Sequence, residues 1–150
     1  MGHGGWREGA GRKGWRLKVE DRRSIDVRQW SRDGLLTPGQ SGLWQWRDEG
    51  TGAPLDGVAW VAHRDAVEVG SINRDGRPVR QSVPILRTPC PFGGTRPWFC
   101  CPTCGRAVAL LYLMPFGLDC RRCAGLAYRA QCESKAQRAW RRQWGSAWTR

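Results

Sequence analysis

Cys101, Cys104, Cys120 and Cys123 form two Cys-x₂-Cys pairs separated by fifteen residues. Thiolates are soft ligands, and two such pairs at this separation match a structural, tetrahedral Cys₄ zinc site. Each pair suits the knuckle of a β-hairpin, where a tight turn aims two sulfurs at one metal. Pro102 presets the backbone for the first turn and Gly105 gives it freedom after the second sulfur. Cys120-Arg121-Arg122-Cys123-Ala124-Gly125 repeats the arrangement, and its two arginines offset the net negative charge of four thiolates around one Zn²⁺. The expectation is one structural zinc ion per chain, held by these four residues in a zinc ribbon. The competing reading is a pair of disulfides, or four buried thiols that happen to share the spacing.

The chain has seven cysteines, an odd number that argues against a disulfide framework. No apolar signal segment opens it, and no stretch approaches the ~20 apolar residues that span a bilayer. A reducing, cytoplasmic setting is expected, where Cys-x₂-Cys pairs mean metal more often than disulfide. Cys100 abuts the first knuckle and offers a geometrically poorer Cys100/Cys104 pair. Cys90 and Cys132 are expected to be small buried residues rather than ligands.

Charge is the second signal. Twenty-five Lys+Arg against 13 Asp+Glu give a net +12, unevenly spread. Residues 1–32 balance at +5, residues 33–120 at zero and residues 121–150 at +7. Strongly basic ends on a neutral body point to a polyanion, and nucleic acid is the commonest. The candidate phosphate contacts are Arg12, Lys13, Arg16, Lys18, Arg121, Arg122, Arg129, Lys135, Arg138, Arg141 and Arg142. Ten tryptophans accompany them. Trp44 and Trp46 share a face of one strand, Trp60 alternates with Val58 and Ala62 on another, and Trp98 is expected to pack over the ribbon. Trp140 and Trp144, in the basic tail, could stack on exposed bases or brace the tail against the body or a protein partner.

Residues 1–23 read as a basic, Gly-rich flexible arm. Residues 24–96 read as a short helix plus an antiparallel sheet: Ser24 caps a helix over Ile25 to Arg32, ended by Gly34. This helix could enter a DNA groove or lie as a lid on the sheet. Period-two patterns over Leu43–Arg47, Val58–His63, Ala66–Ile72 and Val79–Arg87 predict a four-stranded meander, with Asp75-Gly76 at a hairpin turn. Residues 97–128 form the ribbon, with Arg106–Leu113 as its central strand. Residues 129–150 make a basic, Trp-containing helix and tail, its apolar ridge being Tyr128, Cys132, Ala136, Trp140 and Trp144, with Gly145 as its stop. The fold class is α+β: a small antiparallel meander with a short N-terminal helix, fused to a Cys₄ zinc ribbon and a basic C-terminal helix.

Arg96-Pro97-Trp98-Phe99-Cys100-Cys101-Pro102-Thr103-Cys104-Gly105-Arg106, followed by Cys120-Arg121-Arg122-Cys123-Ala124-Gly125-Leu126-Ala127-Tyr128, resembles a family of small uncharacterised bacterial and prophage zinc-ribbon proteins. Thr88-Pro89-Cys90 and Phe92-Gly93-Gly94 extend the resemblance, while Pro91 stands where that family has His. The resemblance implies a mobile-element origin and carries no activity. An enzyme is not expected: a closed Cys₄ site leaves no open position for water, and only His3 and His63 are available as histidine bases. The expectation is a non-enzymatic nucleic-acid-binding protein, DNA more than RNA, serving as an accessory factor of a phage or mobile element. Neither a membrane nor a small-molecule substrate is expected. The alternative is an adaptor or inhibitor that docks on a protein or nucleoprotein complex through its tryptophans and basic tail.

Overall fold

Alternating apolar and polar residues dominate the middle of the chain, and antiparallel sheet dominates its structure. The computed structural model describes residues 16–73 and 75–144. They fall into two units, Arg22–Ala124 and Met1–Asp21 with Gly125–Arg150. The first unit runs through β1 (Ser24–Asp26), α1 (Val27–Arg32), β2 (Ser41–Arg47), β3 (Pro54–Ala62), β4 (Ala66–Ile72), β5 (Pro78–Pro89), β6 (Thr95–Cys100), β7 (Ala107–Val108), β8 (Leu110–Met114) and β9 (Gly117–Asp119). Strands β2 to β7 form one six-stranded meander in chain order, and β1-β8-β9 a second, three-stranded sheet. The result is a small α+β fold, mostly antiparallel.

The meander follows from period-two burial. Val58, Trp60 and Ala62 of β3, Val67 and Val69 of β4, Val83 and Ile85 of β5, and Phe99 of β6 are all buried. Their neighbours Ala59, Val61, Glu68 and Ser82 face solvent. Between β4 and β5, Asn73 Oδ1 accepts the backbone N–H groups of Asp75 at 3.0 Å and Arg77 at 2.8 Å. That Asx turn, with Gly76 at φ +77°, closes the hairpin read from Asp75-Gly76.

β5 is long enough to serve two partners. Pro78 to Pro84 pair with β4, and Ile85 to Pro89 pair with β6. The meander thus runs on into the first cysteine knuckle, and the boundary expected between residues 96 and 97 falls inside β6.

Two expectations about the first unit are corrected. Ser24 does not cap a helix beginning at Ile25: Ser24, Ile25 and Asp26 pair with Tyr112, Leu111 and Leu110 of β8. The helix starts at Val27, capped by Asp26, whose carboxylate accepts the Arg28 N–H at 2.8 Å. Local capping chemistry suits either start, and the distant strand partner decides. Second, Arg106–Leu113 is not one strand. It breaks at Ala109, whose carbonyl accepts the Val27 N–H at 3.0 Å, so β7 stays in the meander and β8 enters the other sheet. The Trp98 side chain meets β5 and its own strand: its indole N–H donates to Thr88 Oγ1 at 3.0 Å, and the Arg96 guanidinium lies 4.7 Å from its ring centre.

Helix α1 is a lid. It buries Val27 and Trp30, and the Trp30 ring centre lies 5.7 Å from Trp44, 5.8 Å from Trp60 and 5.9 Å from Phe99. One core holds these rings together with Ile25, Leu111, Leu118, Cys101 and Cys120. Among the described residues, the buried indole N–H groups of Trp30 and Trp44 find no hydrogen-bond partner, at a cost of about 1–3 kcal/mol each. Gln81 joins the two sheets: its Oε1 accepts the Leu118 N–H at 2.6 Å. A Cβ on Gly117 (φ +129°) would stand 2.7 Å from that oxygen, so the turn needs glycine for approach as well as for φ.

In the second unit, Lys18 forms a parallel bridge with Ala127. The Val19 N–H donates to the Ala127 carbonyl and the Ala127 N–H to the Leu17 carbonyl, each at 3.0 Å. The two basic ends of the chain therefore share one root. A single helix from Leu126 is not formed. Helices α2 (Arg129–Cys132) and α3 (Lys135–Trp144) are separated at Glu133, which is extended at φ −72°, ψ 139°. Ser134 and Gln137 make a reciprocal capping box that starts α3 anew: Ser134 N–H donates to Gln137 Oε1 at 2.8 Å and Gln137 N–H to Ser134 Oγ at 3.2 Å. The apolar ridge from Tyr128 to Trp144 is thereby split. Among the described residues, no helix is long and apolar enough to cross a membrane.

Candidate metal centre and cationic helix

The first knuckle links β6 to β7, and the second follows β9. In the first, Cys101 N–H donates to the Arg106 carbonyl at 2.9 Å and Gly105 N–H to the Cys101 carbonyl at 2.7 Å. In the second, Ala124 N–H donates to the Cys120 carbonyl at 2.9 Å. These turns bring the sulfurs of Cys101, Cys104, Cys120 and Cys123 within 4.8 Å of one another. Sγ of Cys104 lies 3.8 Å from that of Cys120, and Sγ of Cys101 lies 3.9 Å from that of Cys123. A tetrahedron with Zn–S bonds of about 2.3 Å has edges of roughly 3.8 Å, so the spacing fits a metal at the centre. It does not fit two disulfides, whose sulfurs would stand about 2.05 Å apart. All seven cysteines are unbridged.

The first sulfur of each knuckle is buried and the second exposed. Packed against Cys104 first, then Cys120 and Cys101, the Cys123 thiol holds its proton well above the usual thiol range. A bound cation reverses that preference, because a coordinating thiol is deprotonated outright.

Around the sulfurs lies a clip that spacing alone does not reveal. Thr103, between the first two cysteines, donates its hydroxyl to Asp119 Oδ1 at 2.5 Å, and Asp119 precedes Cys120. The Cys120 N–H reaches Cys101 Sγ at 3.4 Å. One knuckle is thus fastened to the other both through and beside the sulfurs.

Cys100 ends β6, opposite Ala107, and the four-sulfur group contains Cys101 in its place. Cys90 is only half-buried, and Cys132, expected in a core, is exposed at the end of α2. His63 sits exposed in the turn after β3, with Nε2 3.7 Å from Glu68 Oε2.

The basic candidates are not one cluster. Arg12 and Lys13 lie outside the described residues, as does the side chain of Trp144. Arg121 and Arg122 belong to the second knuckle, in the first unit. Arg16 is exposed and Lys18 half-buried in the bridge. Arg129 is held by an acidic pair that sequence reasoning passed over: its guanidinium meets Asp21 at 3.2 Å, and its N–H donates to both oxygens of Glu20 at 3.0 and 3.1 Å. Glu20 thereby caps α2.

The structure does bring four cations together. Lys135, Arg138, Arg141 and Arg142 line one concavity along α3. At about 100° per residue they fall within an arc of roughly 120°, and Trp140 stands about 160° from the centre of that arc. Trp140 is 58 % exposed, and Arg141 pairs with Glu133 at 3.1 Å. The helix separates its charge from its aromatic surface. Comparison with protein-family models, curated proteins and solved structures finds no match.

Proposed function

We propose that this chain is a non-enzymatic zinc-ribbon protein that binds nucleic acid, DNA in preference to RNA. The observation that carries the reading is the concavity of α3 lined by Lys135, Arg138, Arg141 and Arg142, on a chain of net charge +12. Cys101, Cys104, Cys120 and Cys123 would hold one Zn²⁺. Bound there, the ion supplies folding free energy, since four thiolates fill its tetrahedral shell. The assignment to a phage or mobile element rests on the sequence resemblance alone.

Each phosphate neutralised by Lys or Arg releases a counterion, so affinity must fall steeply with salt. Mobility-shift titrations against duplex DNA, single-stranded DNA and RNA at two salt concentrations test the reading. Binding at low salt that weakens steeply supports it, and absence of binding to all three at low salt overturns it.

The exposed ring of Trp140 favours a second reading, an adaptor that grips a protein through an aromatic anchor. A pull-down from nuclease-treated lysate separates the two. A stoichiometric protein partner that survives nuclease supports the adaptor, and loss of all partners supports direct nucleic-acid binding.

A further inference from the structure

Resting on the nucleic-acid reading, we propose that α3 engages the sugar-phosphate backbone of duplex DNA by charge alone, with Trp140 turned away from it. The protein would then read charge density and leave the bases unread.

The cations along α3 exceed what helix stability asks for. Positive groups are favourable near a helix C-terminus and unfavourable near its N-terminus. Arg141 and Arg142, in the last turn, fit that rule. Lys135 and Arg138 do not, since they stand in the first four residues of α3, which has no acidic residue in its first turn. Their placement opposes the dipole, and an external anion accounts for it. Among the described residues no salt bridge involves Lys135, Arg138 or Arg142, while Arg141 shares its charge with Glu133.

Geometry then selects the form of nucleic acid. From Lys135 to Arg142 the helix rises about 10 Å, so four cations face a segment of that length. A duplex presents one phosphate charge per ~1.7 Å of axis, about twice the density of one strand. A dense row of cations gains most from the denser polyanion.

Stacking needs an aromatic ring in the same groove as the cations. Trp140 lies on the far side of a helix about 10–12 Å wide, so a strand seated on the cations does not reach its ring. The carbonyl oxygen of Gln137, at the edge of the cationic arc, is also engaged: it accepts the Ser134 N–H, completing the cap.

The experiment uses the full zinc-loaded chain, with fluorescence anisotropy on a labelled duplex of about 20 bp and on its labelled single strand, between about 50 and 200 mM salt. Arg138→Gln, Arg142→Gln, the double variant and Trp140→Ala are compared with wild type, each checked for an unchanged circular-dichroism spectrum. The expected result is duplex binding several-fold tighter than single-strand binding. Each Arg→Gln step lowers the slope of log affinity against log salt by about 0.9, and Trp140→Ala changes affinity less than about twofold. Tighter binding to the single strand, or about tenfold loss on Trp140→Ala, shows stacking and overturns the proposal. Duplex binding whose slope is unchanged in the double variant overturns it by placing the contact elsewhere. If wild type binds neither form at low salt, the nucleic-acid reading itself falls.

Discussion

Thr103 and Asp119 show what a spacing rule misses around a candidate metal centre. Four cysteines announce themselves because each knuckle is local, but the hydrogen bond that clips the knuckles together joins residues 16 apart. Partners that orient ligands without touching the metal typically tune affinity by about 10–100-fold. Thr103→Val keeps the shape and removes the donor, so zinc affinity in a competition titration with a chelating dye should fall by about tenfold. An unchanged affinity would show the clip to be idle. Serine at Cys101, Cys104, Cys120 or Cys123 should instead abolish stoichiometric zinc, while Cys90→Ser and Cys132→Ser retain one zinc per chain by elemental analysis. Zinc kept in Cys101→Ser or lost in Cys90→Ser would assign the wrong thiols.

Asp26 makes a pH prediction at the same scale. The Arg28 side chain, at 2.7 Å, foremost lowers the Asp26 pKa below its ordinary value, and the Arg28 N–H adds to it. A lowered folded pKa means stability that is present above the ordinary carboxylate value and lost as pH falls through the folded one. Acid unfolding followed by tryptophan fluorescence should therefore be flatter below about pH 4 in Asp26→Asn than in wild type. Superimposable profiles would remove Asp26 from the acid limb.

Element boundaries were readable where chemistry is local and hidden where it is not. The meander strands and the Asp75-Gly76 turn follow from alternation and a turn signal. The break before α3 was also written in the sequence, as Ser134 and Gln137 at capping-box spacing, but the four-residue apolar recurrence masked it. β1 could not be read locally: Ser24-Ile25-Asp26 resembles a helix start, and only β8, more than eighty residues on, makes it a strand. The same packing explains why α1, a helix of six residues, persists. Isolated helices that short do not hold in water, so α1 depends on burying Trp30 among Trp44, Trp60 and Phe99. Trp30→Ala should cost about 3–5 kcal/mol in denaturant unfolding and erase much of the near-ultraviolet circular dichroism. A loss under about 1 kcal/mol would mean that the aromatic cluster does not hold the lid.

At the scale of the molecule, the question is what zinc bound at the four cysteines would stabilise. From sequence, a meander ending near residue 96 should outlast its ribbon when metal is removed. The strand pairing of Arg22–Ala124 argues otherwise. β6 carries the meander into the first knuckle, β8 holds β1 and with it the start of α1, and Gln81 ties β5 to β9 at Leu118. Cys101 and Cys120 are themselves members of the core that contains Trp30 and Val83. Sheets sharing one core lose their packing together, and metal that binds only the folded form stabilises the whole cooperative unit. Chelation should therefore shift a single thermal transition to lower temperature. Hydrogen exchange should show the β3 and β4 amides losing protection in step with those of β8 and β9. Protection that persists in β3 and β4 while residues 97–124 exchange freely would restore the two-part picture, with zinc serving the ribbon alone.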